Sequence, residues 1–165
     1  MLLTTSRKPS TKTRTLCKYL SRFLNCDYVN RGKMSLEEIF DLYPDVSVLL
    51  IGEYHGNHGS FEIFDSSGNY LLSIYMSIIY NKDFKSINRK NGYPFVVGTG
   101  NFAETIAKAL LFEYAEQKSD KSCNSRCIIV DDDTMDFMDS GESLFSFRIK
   151  SCRIFGNGDR CEGYG

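Results

Sequence analysis

Arg14, Lys18 and Arg22 stand four residues apart in the stretch TKTRTLCKYLSRFL. At that interval three cations fall on one side of a helix, where like charges repel by about 0.2–0.5 kcal/mol per pair. A helix with a purely structural role breaks such a line with Glu. An unbroken line suits a row of phosphates. Just before it, SRKPSTK sets Arg7, Lys8 and Lys12 among Ser10 and Thr11. Guanidinium groups bind phosphate oxygens in pairs, and hydroxyls and free amides at a helix start favour the same oxygens. A second basic cluster, Asn30, Arg31 and Lys33, surrounds Gly32, which permits a left-handed turn or a close backbone approach. The chemistry open to these residues is the binding of a polyanion. Tyr28, Tyr54 and Tyr93 are candidates either for stacking on unpaired bases or for the core.

Charge distribution points the same way. Residues 1–36 hold eight Lys or Arg against the single acid Asp27, a net +7, so the formal −1 of the 165-residue chain leaves −8 for residues 37–165. A split of this size marks an anionic partner for the basic end, either nucleic acid or a membrane surface. No apolar run reaches the length of a membrane span, and no membrane is expected; the longest, Val46–Gly52, reads as a buried strand. Six cysteines without framework spacing predict reduced thiols and a cytoplasmic setting. Residues 1–25 share the Arg, Ser and Thr richness of an organellar transit peptide. The repeated architecture described below opposes that reading.

Three other chemistries are written less clearly. FVVGTGNFAETIAKALL has a strand, the pattern G-x-G-x-x-A at Gly98, Gly100 and Ala103, and a helix, which is the first turn of a dinucleotide-binding unit. Such a unit needs a following parallel strand that ends in an acid about twenty residues on. The next apolar strand in the sequence is Ile128–Val130, and it runs into Asp131, Asp132 and Asp133, which would repel a pyrophosphate. A nucleotide-cofactor enzyme using Gly98–Gly100 is therefore the alternative. The first reading of these glycines is a tight turn, with no cofactor. His55 and His58, at an expected hairpin tip, and Cys123, Cys127, Cys152 and Cys161 lack the paired short spacings of structural zinc. Asp131–Asp133 with Asp136 suit either Mg²⁺ or a solvated acidic loop, with the loop as the default. No metal is expected, and no nucleophile–base pair stands out, so the chain reads as a non-enzyme.

The elements that must position the cations follow from periodicity. Residues 2–5 read as a short apolar strand, followed by a turn with Pro9 and a helix of about 14 residues. Leu16, Leu20, Phe23 and Leu24 mark the buried side of that helix. Residues 94–97 repeat the strand, Gly98–Gly100 the turn, and a helix is expected from about Phe102 to Lys118. Each half then has a hairpin: FDSSGNYLLSI (64–74) can be laid on MDSGESLFSF (138–147), with Asp65 on Asp139 and Gly68 on Gly141. Before the first hairpin, Ser35 should cap a short helix with Glu37 and Glu38 in its first turn. The predicted fold is α/β and internally duplicated, a single domain over 1–165 built of two strand–helix–strand–hairpin halves, about 1–90 and 91–165.

These motifs carry a resemblance. LLTTSRKPSTKTRTLCKYLSRFL followed by YVNRGKMSLEEIF resembles the start of a Brix domain, in the short archaeal form related to Imp4-type ribosome biogenesis proteins. Its most specific parts are T-S-R-x-P-S at Thr5–Ser10 and N-R-G at Asn30–Gly32. The resemblance implies an internally duplicated α/β fold whose halves each resemble the anticodon-binding domain of class IIa aminoacyl-tRNA synthetases. It also implies a part in ribosomal RNA processing and subunit assembly. Joined to the charge pattern, it makes ribosomal RNA or its precursor the expected partner. The contacts fall to Arg7, Lys8, Ser10, Thr11, Lys12, Arg14, Lys18, Arg22, Asn30, Arg31 and Lys33, in a monomer that also meets ribosomal or assembly proteins. Eukaryotic members often continue into a basic C-terminal segment, where this sequence reads GNGDRCEGYG.

If Gly98 and Gly100 make only a turn, NADH, NADPH and ATP each leave the melting temperature unchanged. A ligand at a hundred times its Kd would add about 2.7 kcal/mol of stability, so a clear rise with any of the three would favour the enzyme.

Overall fold

Leu2–Thr5 (β1) is buried along its whole length, as a strand flanked by parallel neighbours on both sides requires. It opens a computed structural model that describes residues 1–54, 57–81, 87–89, 91–117 and 125–155. The described residues form ten strands and three helices. The chain divides into two compact units. The first comprises Met1–Ser21, Cys26–Met76 and, of the described C-terminal residues, 150–155; the second comprises Arg22–Asn25 and Ser77–Ile149.

In the first unit β1 leads through α1 (Thr11–Leu24, its last turn in the second unit) to the short β2 (Asp27–Tyr28), then through α2 (Leu36–Leu42) to β3 (Val48–Tyr54), β4 (Asn57–Phe64) and β5 (Tyr70–Tyr80, of this unit as far as Met76). The strand order is β2-β1-β3-β4-β5, with β1 parallel to both neighbours and the remaining pairs antiparallel. One face of this sheet presents Leu49, Ile51, Phe61, Ile63, Leu72 and Ile74, all inaccessible to solvent. Leu16, Cys17 and Leu20 of α1, equally buried in the same unit, supply an apolar side of matching period. Burial pushes the Cys17 thiol well above its ordinary pKa, which keeps it protonated and inert.

On the other face Val48, Leu50 and Phe64 cluster with Leu2 and with Ile39 of α2, and Met34, Phe40 and Tyr43 close around them. Helix α2 starts where expected. Ser35 Oγ accepts the Glu38 N–H at 3.1 Å, and Glu38 Oε2 accepts the Ser35 N–H at 2.6 Å, a reciprocal cap. Being only seven residues long, α2 covers one end of the face. The other end, around Gly52, Ser60 and Glu62, is left to line an open groove.

The described strands of the second unit pair in the same order. β6 (Phe95–Val97) leads through α3 (Asn101–Leu110) to β7 (Tyr114–Ala115), and β8 (Cys127–Val130), β9 (Thr134–Asp139) and β10 (Glu142–Ile154) follow. Its order is β7-β6-β8-β9-β10, with β6 parallel to both neighbours and the later pairs antiparallel. Two boundaries differ from expectation. The first strand of the longest apolar run starts at Val48, two residues after Val46. Helix α3 stops at Leu110 and does not continue toward Lys118, which lies outside the described residues. Leu111 turns left-handed at φ 61°, and Phe112 donates its N–H to Ala107 O at 2.9 Å. Val96 then donates to Glu113 O at 2.8 Å, so ladder pairing of β7 with β6 replaces further helix. That pairing also supplies a parallel strand well before Ile128–Val130, where the sequence had placed the first one.

His55, Cys123 and Cys161 lie outside the described residues, and so does the side chain of His58. Among the described residues no group of three His, Cys, Asp or Glu could hold a metal, and Cys17, Cys26, Cys127 and Cys152 are not in disulfides.

Arg126 organises the core of the second unit. Its guanidinium lies 5.5 Å from the Phe23 ring centre, and Phe23 meets Phe137 edge-on at 5.3 Å. Nε donates to Asp139 Oδ2 at 3.0 Å, Nη1 to Arg22 O at 2.8 Å, and Nη2 to Asn88 O. The side chain is 6% exposed. Removing it takes the cationic partner from a shielded carboxylate and a donor from two carbonyls, so Arg126→Met should cost about 3–5 kcal/mol, read as a shift in the urea midpoint.

Candidate nucleic-acid interface

The basic residues sit on one helix and two loops. Pro9 holds the chain as it enters α1, and Ser10 caps the helix by accepting the Thr13 N–H at 3.3 Å. Ser10 is itself captured: its N–H and its hydroxyl both donate to Glu53 Oε1, at 2.8 Å and 2.5 Å. A carboxylate at this end of a helix is favoured by the macrodipole. The place that the sequence offered to a phosphate at the α1 N-terminus is thus taken by Glu53 of β3, and Ser10 faces inward as a positioning residue. Thr11 is exposed, and its hydroxyl accepts from Arg14 Nη2 at 3.4 Å.

Further along α1, Lys12, Arg14, Lys18 and Arg22 are exposed, whereas Leu16, Leu20, Phe23 and Leu24 are buried. The helix thus separates its charges from its apolar residues as the spacing indicated.

The two basic loops meet. Lys8 adopts the left-handed conformation at φ 52°, and its N–H donates to Gly32 O at 3.0 Å. Gly32 is also left-handed, at φ 61°, which any larger residue resists. Arg7, Lys8 and Lys33 consequently line one open cavity of about 450 Å³ with no acid among them. Arg31 is half-buried, with Nε donating to Met34 O at 2.7 Å. Burial, and then the nearby Arg7 charge, lower its pKa; like charges held this close are relieved by a bound anion. Asn30 is exposed on the same loop.

A second cavity of about 340 Å³ lies over the uncovered end of the first unit's sheet. Cross-strand register sets Gly52 opposite Ser60 and Ser60 opposite Tyr75. A Cβ added to Gly52 would stand 2.1 Å from Ser60 Oγ, so the Ser60 side chain lies across Gly52 and leaves no space there for a larger residue. Tyr54, Tyr70 and Tyr75 line this groove and are 70%, 44% and 56% exposed, and Ser6 and Arg31 also reach it. Glu62 accepts from Ser60 Oγ at 2.7 Å and from the Tyr70 hydroxyl at 3.3 Å. Of the three candidate tyrosines, Tyr54 alone lines the groove. Tyr28 is half-buried, with burial pushing its pKa up to about 12. Tyr93 is exposed and stacks on Phe112 at 5.9 Å. Tyr70 escaped the sequence reading because a register shift between Ile63 and Phe64 brings it opposite Phe64, onto the face of Glu62 and Ser60; Tyr75 joins that face by regular pairing with Ser60.

The glycine turn of the second unit has a packing reason. A Cβ on Gly98 would lie 2.4 Å from Val130 O and 2.7 Å from Ala103 Cβ. The Gly98 N–H donates to Ala115 O at 3.2 Å, and its carbonyl accepts the Tyr114 hydroxyl at 2.9 Å. Strand, helix and neighbouring strand converge there. Asp131, Asp132 and Asp133 form an exposed loop between β8 and β9.

No family model matches the chain. It is 42% identical over 159 residues to a probable Brix domain-containing ribosomal biogenesis protein of Methanosarcina mazei, covering 94% of this chain and 100% of that one. A protein of the same description from Methanococcoides burtonii is 39% identical over 153 residues, covering 93% and 96%. Among solved structures, Mil, an archaeal Imp4-like protein, superposes with a TM-score of 0.70 at 28% identity over 93% of this chain and 99% of Mil. A probable ribosomal biogenesis protein from Aeropyrum pernix gives 0.68 at 20% identity over 90% and 93%, which bears on the fold alone.

Ser10→Ala removes the cap and one of the two donors to Glu53. It should cost about 1–2 kcal/mol in urea denaturation, with the exposed cations of α1 still in place.

Proposed function

The chain belongs to the family of Brix domain-containing ribosomal biogenesis proteins, and from that premise we propose that it is a non-catalytic archaeal ribosome assembly factor. In this reading it binds ribosomal RNA or its precursor through its basic N-terminal face and assists processing and subunit assembly. The observation that carries the proposal is the Lys8–Gly32 bond, which gathers Arg7, Lys8 and Lys33 around one cavity without an acid. The line Arg14, Lys18 and Arg22 extends the same charge along α1, with Lys12, Thr11, Asn30 and Arg31 beside it and Ser10 holding the helix start. Phosphates spaced along an RNA strand match such a surface in sign and in repetition.

The remainder of the chain, at −8, suits release from RNA after assembly or contact with basic ribosomal and assembly proteins. No helix among the described residues is long and apolar enough to cross a membrane, and a cytoplasmic monomer fits a factor that must reach nascent subunits. The proposal extends to architecture: a single Brix domain over 1–165, with duplicated halves at about 1–90 and 91–165, each akin to the anticodon-binding domain of class IIa synthetases. Support comes from the shared strand order of the two units and from Gly68 and Gly141. These aligned hairpin glycines both take positive φ, at 83° and 81°.

Binding to structured ribosomal RNA, followed by fluorescence anisotropy, should weaken with salt by about 0.7–0.9 log unit per log unit of salt for each phosphate neutralised. The triple substitution Arg14→Glu, Lys18→Glu, Arg22→Glu should abolish binding while circular dichroism shows the fold intact. Retained affinity in that variant would overturn the basic-face reading.

A further inference from the structure

We infer that the groove walled by Tyr54, Tyr70 and Tyr75, with Arg31 at its edge, takes unpaired RNA bases, so that the protein selects single-stranded or loop segments over duplex. This deepens the RNA-binding reading above and rests on it. Tyr54 and Tyr75 stand exposed over a floor of Gly52 and Ser60, and Tyr70, packed against Phe64 and Phe155, forms the wall beside them. Aromatic faces of this kind stack on any base, and a stacked base contributes about 5- to 150-fold in affinity.

Charge sets which part of the nucleic acid enters. Ser6 and Arg31 line the groove, and their chain neighbours Arg7, Lys8 and Lys33 line the cationic cavity. The two loops are joined by the Lys8–Gly32 bond. A sugar–phosphate chain held on those loops therefore has the groove within reach of its bases. Inside, Glu53 and Glu62 line the groove. Carboxylates repel phosphates but accept hydrogen bonds from exocyclic amines such as cytosine N4. The backbone is kept at the cations and the bases go to the tyrosines. A duplex cannot enter this way, because its base faces are stacked and its pairing edges used.

The test uses the full chain with a short unstructured RNA carrying 2-aminopurine and a perfectly paired hairpin of the same composition. Wild type should bind the unstructured RNA more tightly and quench its fluorescence. Tyr54→Ala and Tyr75→Ala should each lose about 5- to 150-fold on that RNA, with the salt slope unchanged and little effect on the hairpin. Tyr75→Phe should retain binding and quenching. All of these side chains are exposed, and circular dichroism checks each fold. Unchanged affinity in both alanine variants, with a steep salt slope persisting, would overturn the groove while leaving the phosphate reading in place. Wild type that binds neither RNA at low salt would overturn both. Alanine variants that lose a Lys/Arg-rich peptide but keep RNA would overturn the inference in favour of a protein-docking site.

Discussion

Glu53 accepts both donors of Ser10, and the arrangement of the basic surface depends on this attachment. Ser10 is the residue at which the chain leaves the T-S-R-x-P-S loop and becomes helix. Fixing its amide and hydroxyl to β3 fixes the start of α1 on the sheet. The carboxylate also completes the helix end electrostatically, so the first turn needs no external anion to be stable. The cations of α1 are then presented to solvent by a helix whose opposite side is buried. At the last turn, in the second unit, the Arg22 carbonyl is in turn held by Arg126.

The same carboxylate lines the groove, which links the two halves of the proposed interface. The groove exists because α2 is short. Val48, Leu50 and Phe64 need cover and receive it from Ile39 and its neighbours. Gly52, Ser60 and Glu62, further along the same face, lie under the tyrosines instead. The buried Ser60 hydroxyl donates to Glu62, so it is satisfied without water. An antiparallel stretch with one solvated face is ordinary; here the solvated part has three tyrosines along it and two basic loops at its side.

Much of this was legible in the residues taken alone. β1, α1, the two hairpins and the Ser35 cap follow from short-range rules: apolar period, turn glycines, and a Ser three residues before a Glu. The exposed line of Arg14, Lys18 and Arg22 follows too, because a helix of known period with Leu16 and Leu20 buried can only turn those positions outward. Other features depended on partners distant in the chain. Ser10 has the composition of a phosphate ligand, and only the presence of Glu53, 43 positions away, turns it inward. The end of α3 at Leu110 was decided by the pairing of β7 with β6, since AEQK has no local reason to leave a helix. The meeting of Arg7, Lys8 and Lys33 required a backbone bond between two loops, and the tyrosine groove required a strand register containing a bulge. The sequence by itself determined which residues are charged, which are apolar, and at what period they recur. Only the tertiary structure decided which polar groups are consumed by one another and which are left for a ligand, because hydrogen bonds and register join residues whose separation along the chain has no period to read.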